Sequence, residues 1–148
     1  FTRLSKDKDP SQLLYEFNGK ASVHFSKQVH RNNIIEAFLT EKTNHAKADG
    51  LIGNRKRQSV WVSSADCIPI LIGDPVTGIV AACHSGWRGI TFEIATSLIR
   101  KLEASGAKKK DLVITLGPSI CKECYQVGKN VGDIIANVLE SKKNKFNI

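Results

Sequence analysis

No methionine occurs in the 148 residues, and the chain opens on Phe1. The expectation is a sequence that is not an intact translation product. Long hydrophobic runs are missing too: the longest, Ile68 to Gly73, falls far short of the roughly 18 residues that a membrane-spanning helix needs. The opening residues lack the charged-then-apolar pattern of a secretion signal, so the chain reads as a soluble, cytoplasmic protein. Cysteine is scarce, with four residues, which excludes a disulfide-built scaffold at this length. Cys121 and Cys124 form one CxxC, and no second close pair completes a four-sulfur zinc site.

What is present fits one packed domain over residues 1–148. Hydrophobic residues make up 41% and charged residues 24%, near globular averages, which excludes general disorder. The net charge of +8 favours anionic partners such as phosphates and nucleotides. Much of the excess sits in scattered lysines (Lys108 to Lys110, Lys142, Lys143, Lys145) that read as solvated turns and a tail. No recognition-helix pattern and no basic stripe interleaved with aromatics is found, so dedicated nucleic-acid binding is not expected.

The first twenty residues give no firm element. Ala21 to Phe25 alternates as a short strand, Lys27-Gln28-Val29-His30 continues it, and Ile34 to Phe38 reads as a second strand after the Asn32-Asn33 turn. Thr43 to Lys47 reads as loop, Ala48 to Ile52 as a buried segment and Ser59 to Ser63 as a β-rich run. Two apolar runs, 68–72 and 79–83, flank Asp74-Pro75-Val76-Thr77-Gly78, which has hairpin chemistry. Pairing them directly puts Ile68 near Cys83 and Cys67 near His84. Ile90, Ile94, Ala95, Leu98, Ile99 and Leu102 then fall on one face of a helix that Gly106 caps. Leu112 to Leu116 reads as a buried strand, and Val131, Ile134, Ile135, Val138 and Leu139 mark a last amphipathic helix. The fold class is α+β with a mixed sheet, because the hairpin argues against a purely parallel one.

The chemistry concentrates around the hairpin. His84 ends a strand just before Ser85-Gly86-Trp87-Arg88-Gly89, a glycine-flanked turn into a helix. Free N–H groups and a guanidinium there make an anion site. Cys67 lies between Asp66 and an irregular strand start at Pro69. A thiol and an imidazole across one hairpin serve either as nucleophile and base or as two metal ligands. A third ligand completes a catalytic zinc site with one open position. His30, His24 and His45 all remain open on spacing, His30 being the best placed.

The stretch ADCIPILIGDPVTGIVAACHSGWRG (Ala65 to Gly89) resembles the signature of the YfiH-type family, known also as laccase-domain proteins and as zinc-dependent purine nucleoside phosphorylases. Gln28-Val29-His30, Ala48-Asp49-Gly50-Leu51 and Gly117-Pro118-Ser119-Ile120 through Gly128 resemble its flanking blocks, so the likeness covers roughly Ala21 to Leu139. The resemblance implies a metal site at His30, Cys67 and His84 and an adjoining pocket for a purine nucleoside. It also implies a mixed-sheet α/β sandwich like the catalytic domain of cytotoxic necrotizing factors. The implied activities are phosphorolysis of adenosine, inosine, guanosine and methylthioadenosine, together with adenosine deamination. Within that reading Ser85, Gly86, Arg88 and Gly89 hold inorganic phosphate or substrate, Arg88 acts on the developing charge, and Asp66 orients a ligand or carries a proton.

Departures from the family are visible. Cys121-Lys122-Glu123-Cys124-Tyr125-Gln126 stands where the family reads Gly-Pro-Cys-Cys-Tyr-Glu, so the CxxC is incidental and not redox. The family's first and last blocks are missing, and an incomplete domain is expected. Copper-dependent phenol oxidation is the rival reading, weakened by four histidines against the several coppers it requires. A metal-free Cys67–His84 hydrolase and a non-catalytic docking module also compete with the zinc enzyme.

Overall fold

A computed structural model describes residues 9–16, 19–42 and 46–146; of the Thr43–Lys47 loop, 43–45, His45 included, lie outside them. The elements run α1 (Pro10–Glu16), β1 (Ser22–His24), β2 (Ile34–Glu36), α2 (Leu39–Lys42), β3 (Gly50–Gly53), β4 (Gln58–Val60), β5 (Ile68–Gly73), β6 (Val80–Ser85), α3 (Trp87–Thr91), α4 (Ile94–Ala104), β7 (Val113–Leu116) and α5 (Lys129–Phe146). Five strands form a mixed sheet in the order β2-β3-β6-β5-β7, with β2 and β3 parallel and the rest antiparallel, while β1 and β4 pair parallel in a second, small sheet. The α+β class with a mixed sheet is what the sequence indicated.

The alternation along the central strands sorts the two faces. Ile52, Ile70, Ile72, Ala81 and Cys83 point to one side, where α4 lays down Ile94, Leu98 and Leu102, all three fully buried. Each such side chain contributes about 1.5–3 kcal/mol on burial. α4 stops at a Schellman cap, in which Gly106 takes φ 101° and the N–H groups of Gly106 and Ala107 reach the carbonyls of Glu103 and Leu102. The opposite face carries Leu51, Ala82 and His84, and the β1–β4 pair approaches it where Val60 lies close to Gly53. The site lies on this second face, at the end of β6.

Four expectations change. α1 exists: Asp9 accepts from the N–H groups of Ser11 and Gln12, and the Gln12 side chain accepts from Asp9 N–H in return, a capping box around Pro10. Lys27 to His30 is not a strand beyond one bridge from Lys27 to Lys47, because the N–H groups of residues 29–31 turn inward. The helix after the hairpin is two helices, broken where Glu93 adopts a left-handed φ of 55°. β7 is exposed at every position, Val113 61% and Leu116 63%, since it forms the sheet edge with no further strand beside it among the described residues.

The hairpin register is also displaced by two. Ile70 faces Cys83 and Pro69 faces His84, so Cys67 comes opposite Gly86, just past the ladder. Asp74 is the reason. Its carboxylate accepts from Thr77 Oγ1 at 2.7 Å and from Val76 N–H at 2.9 Å, tightening the turn so that Asp74 itself pairs with Ile79. The Thr77 hydroxyl, aided by these backbone bonds, holds the Asp74 carboxyl below the usual carboxylate range. A depressed folded-state value means stability that is present above about pH 4 and lost as pH falls through the folded value. Asp74→Ala is therefore expected to lower the melting temperature by a few degrees at neutral pH, the gap to wild type closing in acid; thermal scans from neutrality to strong acid check this.

Candidate metal centre

Three of the sequence-nominated residues converge. One ligating atom from each of His30, Cys67 and His84 lies within 4.8 Å of the others. A tetrahedral zinc with bonds of about 2.0–2.3 Å sets its donors roughly 3.5 Å apart, so the cluster closes on an ion with small side-chain movement. The donor set, one sulfur and two imidazoles, suits zinc and copper and is poor for hard oxygen-seeking cations.

Each of the three candidate ligands arrives by a different device. His84 stands on β6, buried to 4% exposure, with its Nδ1 3.1 Å from Asp49 Oδ1. A carboxylate oxygen only accepts, so Nδ1 donates and Nε2 is the ring nitrogen left to ligate. His30 sits in a loop at φ 57°, in the left-handed region, its ring edge-on to that of His84 with centroids 4.7 Å apart. Cys67 occupies the bend before β5, and Ser64 Oγ donates to its carbonyl. Burial pushes the Cys67 thiol up, helped by the charges of Asp66 and Asp49. Cys83, behind the site in the core, is pushed up to about 12, chiefly by burial.

Two cavities meet at His30. One of about 460 Å³ is lined by Ser26, Gln28, Ser63, Asp66, Cys67 and His84 among others. The other, about 380 Å³, is lined by Val29, His30, Arg31, Arg88 and Phe92. Gln28 braces the first by a reciprocal pair, donating to Ser63 O at 2.8 Å and accepting from Ser63 N–H at 2.7 Å. Ile120 N–H donates to Asp66 O at 3.0 Å, so the Gly-Pro-Ser-Ile block supports the same wall.

The remaining candidates divide. Asp66 faces the larger cavity and Arg88 the smaller, its guanidinium stacked 4.2 Å over the Trp87 ring. Ser85, Gly86 and Gly89 are buried and stand among the lining residues of neither. Gly86 instead backs the ligands, since a Cβ there would lie 2.8 Å from Cys67 Sγ. His24 is fully buried elsewhere, bonded to Ser22 Oγ at 2.6 Å and Thr40 Oγ1 at 3.0 Å. Sequence reasoning overlooked Asp49 and Arg31. The signal for Asp49 was a lone carboxylate inside the apolar Ala48–Ile52 segment, which only a cluster of donors accommodates.

The family profile described as multi-copper polyphenol oxidoreductase laccase matches residues 8–147. The chain belongs to this laccase-like YfiH family. A purine nucleoside phosphorylase of Synechocystis sp. is 41% identical over 133 residues, which are 86% of this chain and 50% of that protein. Adenosine deaminase RL5, from an unknown prokaryotic organism, is 35% identical over 100 residues, 68% of this chain and 36% of that one. The crystal structure of the Bacillus licheniformis hypothetical protein YfiH superposes with TM-score 0.73 at 29% identity, covering 84% of this chain and 51% of that one. The chain thus spans about half the length, or less, of these relatives. Members of the YfiH family are therefore named for two nucleoside chemistries and for copper. No helix among the described residues of this member is long and apolar enough to cross a membrane.

Proposed function

We propose that the chain carries the metal-binding half of a zinc-dependent purine nucleoside phosphorylase that also deaminates adenosine. The convergence of His30, Cys67 and His84 at the mouth of a nucleoside-sized cavity carries this reading, and the names of the relatives accord with it. His30, Cys67 and His84 would hold a zinc ion, which would supply Lewis acidity beside the cavity.

The protein's own groups divide the remaining work. Ser63, Ser64 and Gln28 offer hydroxyls and an amide to the purine and ribose in the larger cavity. Arg31 and Arg88 hold inorganic phosphate in the smaller one, a task that falls to side chains because α3 has five residues and contributes little dipole. A phosphate oxygen then bonds to the ribose anomeric carbon as the bond from that carbon to the purine nitrogen breaks, and the Asp66 carboxylate takes a proton from the protonated phosphate and relays it to the departing base. In deamination, water adds at the purine carbon bearing the amine and ammonia leaves. Buried Ser85 and Gly89 brace the His84 end of this arrangement. Four unpaired cysteines accord with a reducing, cytoplasmic setting.

Rival chemistries lack equivalent support. A metal-free hydrolase needs an activated thiolate, whereas burial and two carboxylates push the Cys67 thiol the other way. Among the described residues one three-ligand cluster is present, too few donors for several coppers. Elemental analysis of the purified protein, with inosine turnover measured with and without phosphate, tests the proposal. One zinc per chain and phosphate-dependent base release are expected; stoichiometric copper, or no metal, overturns it. Arg88→Ala is expected to raise the KM for phosphate by roughly 10–100-fold, the worth of about 1.5–3 kcal/mol for a charge-assisted bond. Unchanged phosphate dependence removes Arg88 from that role.

A further inference from the structure

We infer that Asp49 is the positioning residue of this centre, one carboxylate that sets both the backbone pose of His30 and the ring orientation of His84. The inference rests on the reading of His30, Cys67 and His84 as metal ligands and adds a residue that reading does not contain.

Asp49 is fully buried, and what surrounds it is a shell of donors. Oδ1 accepts from His30 N–H at 2.8 Å and Oδ2 from Arg31 N–H at 2.9 Å, while Val29 N–H lies 3.1–3.2 Å from both oxygens. Three consecutive amides converging on one anion, with a left-handed residue in the middle, make a backbone nest. A non-glycine residue at φ 57° carries steric cost and persists only where its surroundings enforce it. Here the carboxylate enforces it. Without that acceptor three inward-facing N–H groups lose their partner, and His30 has no reason to keep the pose that brings its ring to His84.

A further donor is His84 Nδ1, 3.1 Å from Oδ1. This bond fixes the tautomer that leaves Nε2 with a free lone pair. The main chain locks the same pair of residues together, since His84 N–H donates to Asp49 O at 2.8 Å. That bond extends the β3–β6 ladder one step beyond the Gly50–Cys83 pair. Asp49 N–H in turn donates to Asn33 O at 3.0 Å. The carboxylate is therefore fixed to a buried strand end and reaches two of the three ligands at once. Cys67 is the one ligand it does not bond, so losing Asp49 should loosen the imidazoles and spare the sulfur.

The tests separate this inference from the function it rests on. In the wild-type apoprotein, nitrogen-15 spectra of the His84 ring should show a proton on Nδ1; a ring protonated at Nε2 alone overturns the inference. Asp49→Asn replaces one acceptor oxygen by a donor. It should weaken zinc binding by roughly 10–100-fold in chelator competition and displace the visible bands of the cobalt-loaded protein, while the sulfur-to-cobalt band stays. A purely structural role would lower the apoprotein's melting temperature and leave the cobalt spectrum of the folded protein unmoved. Wild-type zinc affinity and an unaltered cobalt spectrum in the variant overturn the inference. Should the variant fail to fold, the wild-type tautomer decides. A wild type that binds no zinc counts against the metal reading itself, and the tautomer still reports whether Asp49 orients His84.

Discussion

Replacing Cys67 by serine is expected to leave a folded protein that no longer retains zinc through desalting. The sulfur is the one ligand of the trio able to carry negative charge to a cation. A serine hydroxyl keeps its proton at neutral pH and binds zinc poorly. The affinity lost should exceed the roughly 10–100-fold that removal of an outer-shell partner costs. Folding should be spared, because the half-buried Cys67 is not part of the core cluster that α4 covers. Zinc content and chelator competition give the affinity, and circular dichroism confirms the fold. Stoichiometric zinc in the folded Cys67→Ser protein would remove the sulfur from the ligand set. Phosphate-dependent inosine cleavage, where the wild type shows it, should disappear with the metal.

Gly86→Ala should come close to this loss without replacing any of the three candidate ligands. The backbone at Gly86 is extended, with φ −81° and ψ −177°, so alanine adopts it without conformational cost. The obstacle is space. Its Cβ would lie 2.8 Å from Cys67 Sγ and 3.6 Å from the His30 ring, and of these the sulfur must give way. Overpacking of this kind costs about 1–3 kcal/mol, and here the strain falls on the ligand geometry. Zinc affinity should drop by at least the roughly 10–100-fold of an outer-shell change, with only a modest decrease in the melting temperature of the apoprotein. Gly73→Ala is the matched control, because its added Cβ would meet nothing within 4 Å and zinc binding should not change. Equal zinc affinity in the Gly86 and Gly73 variants would show that the close approach to Cys67 has no bearing on the centre.

The meeting of Cys67 and His84 was readable in the sequence despite an error in the hairpin register. Counting back from a plain Asp74–Gly78 turn placed Cys67 beside His84, whereas the ladder sets Cys67 against Gly86. Strand side chains alternate with a period of two. A two-residue displacement therefore keeps every side chain on its face, and the thiol and imidazole still meet. What spacing could not choose was the third ligand. His30 was the best placed of His24, His30 and His45 but was not singled out by spacing, and it is Asp49, distant in sequence, that draws residues 29–31 inward. The helix break at Glu93 and the exposure of β7 were hidden for a similar reason. Apolar periodicity records which residues are able to face a core, not whether a partner lies opposite. The start of α1 was legible in Asp9-Pro10-Ser11-Gln12, a capping box that passed for loop because so polar a stretch shows no apolar stripe.

β7 has one further consequence. Among the described residues no strand flanks its outer side, and an edge strand with apolar side chains at Val113, Ile114 and Leu116 is a template onto which another strand can add. The +8 charge of the chain repels approaching copies, but its reach shrinks to about 10 Å at 0.1 M salt. The colloidal behaviour of this protein is thus a contest between a screened long-range repulsion and a short-range adhesive rim, and ionic strength sets the outcome.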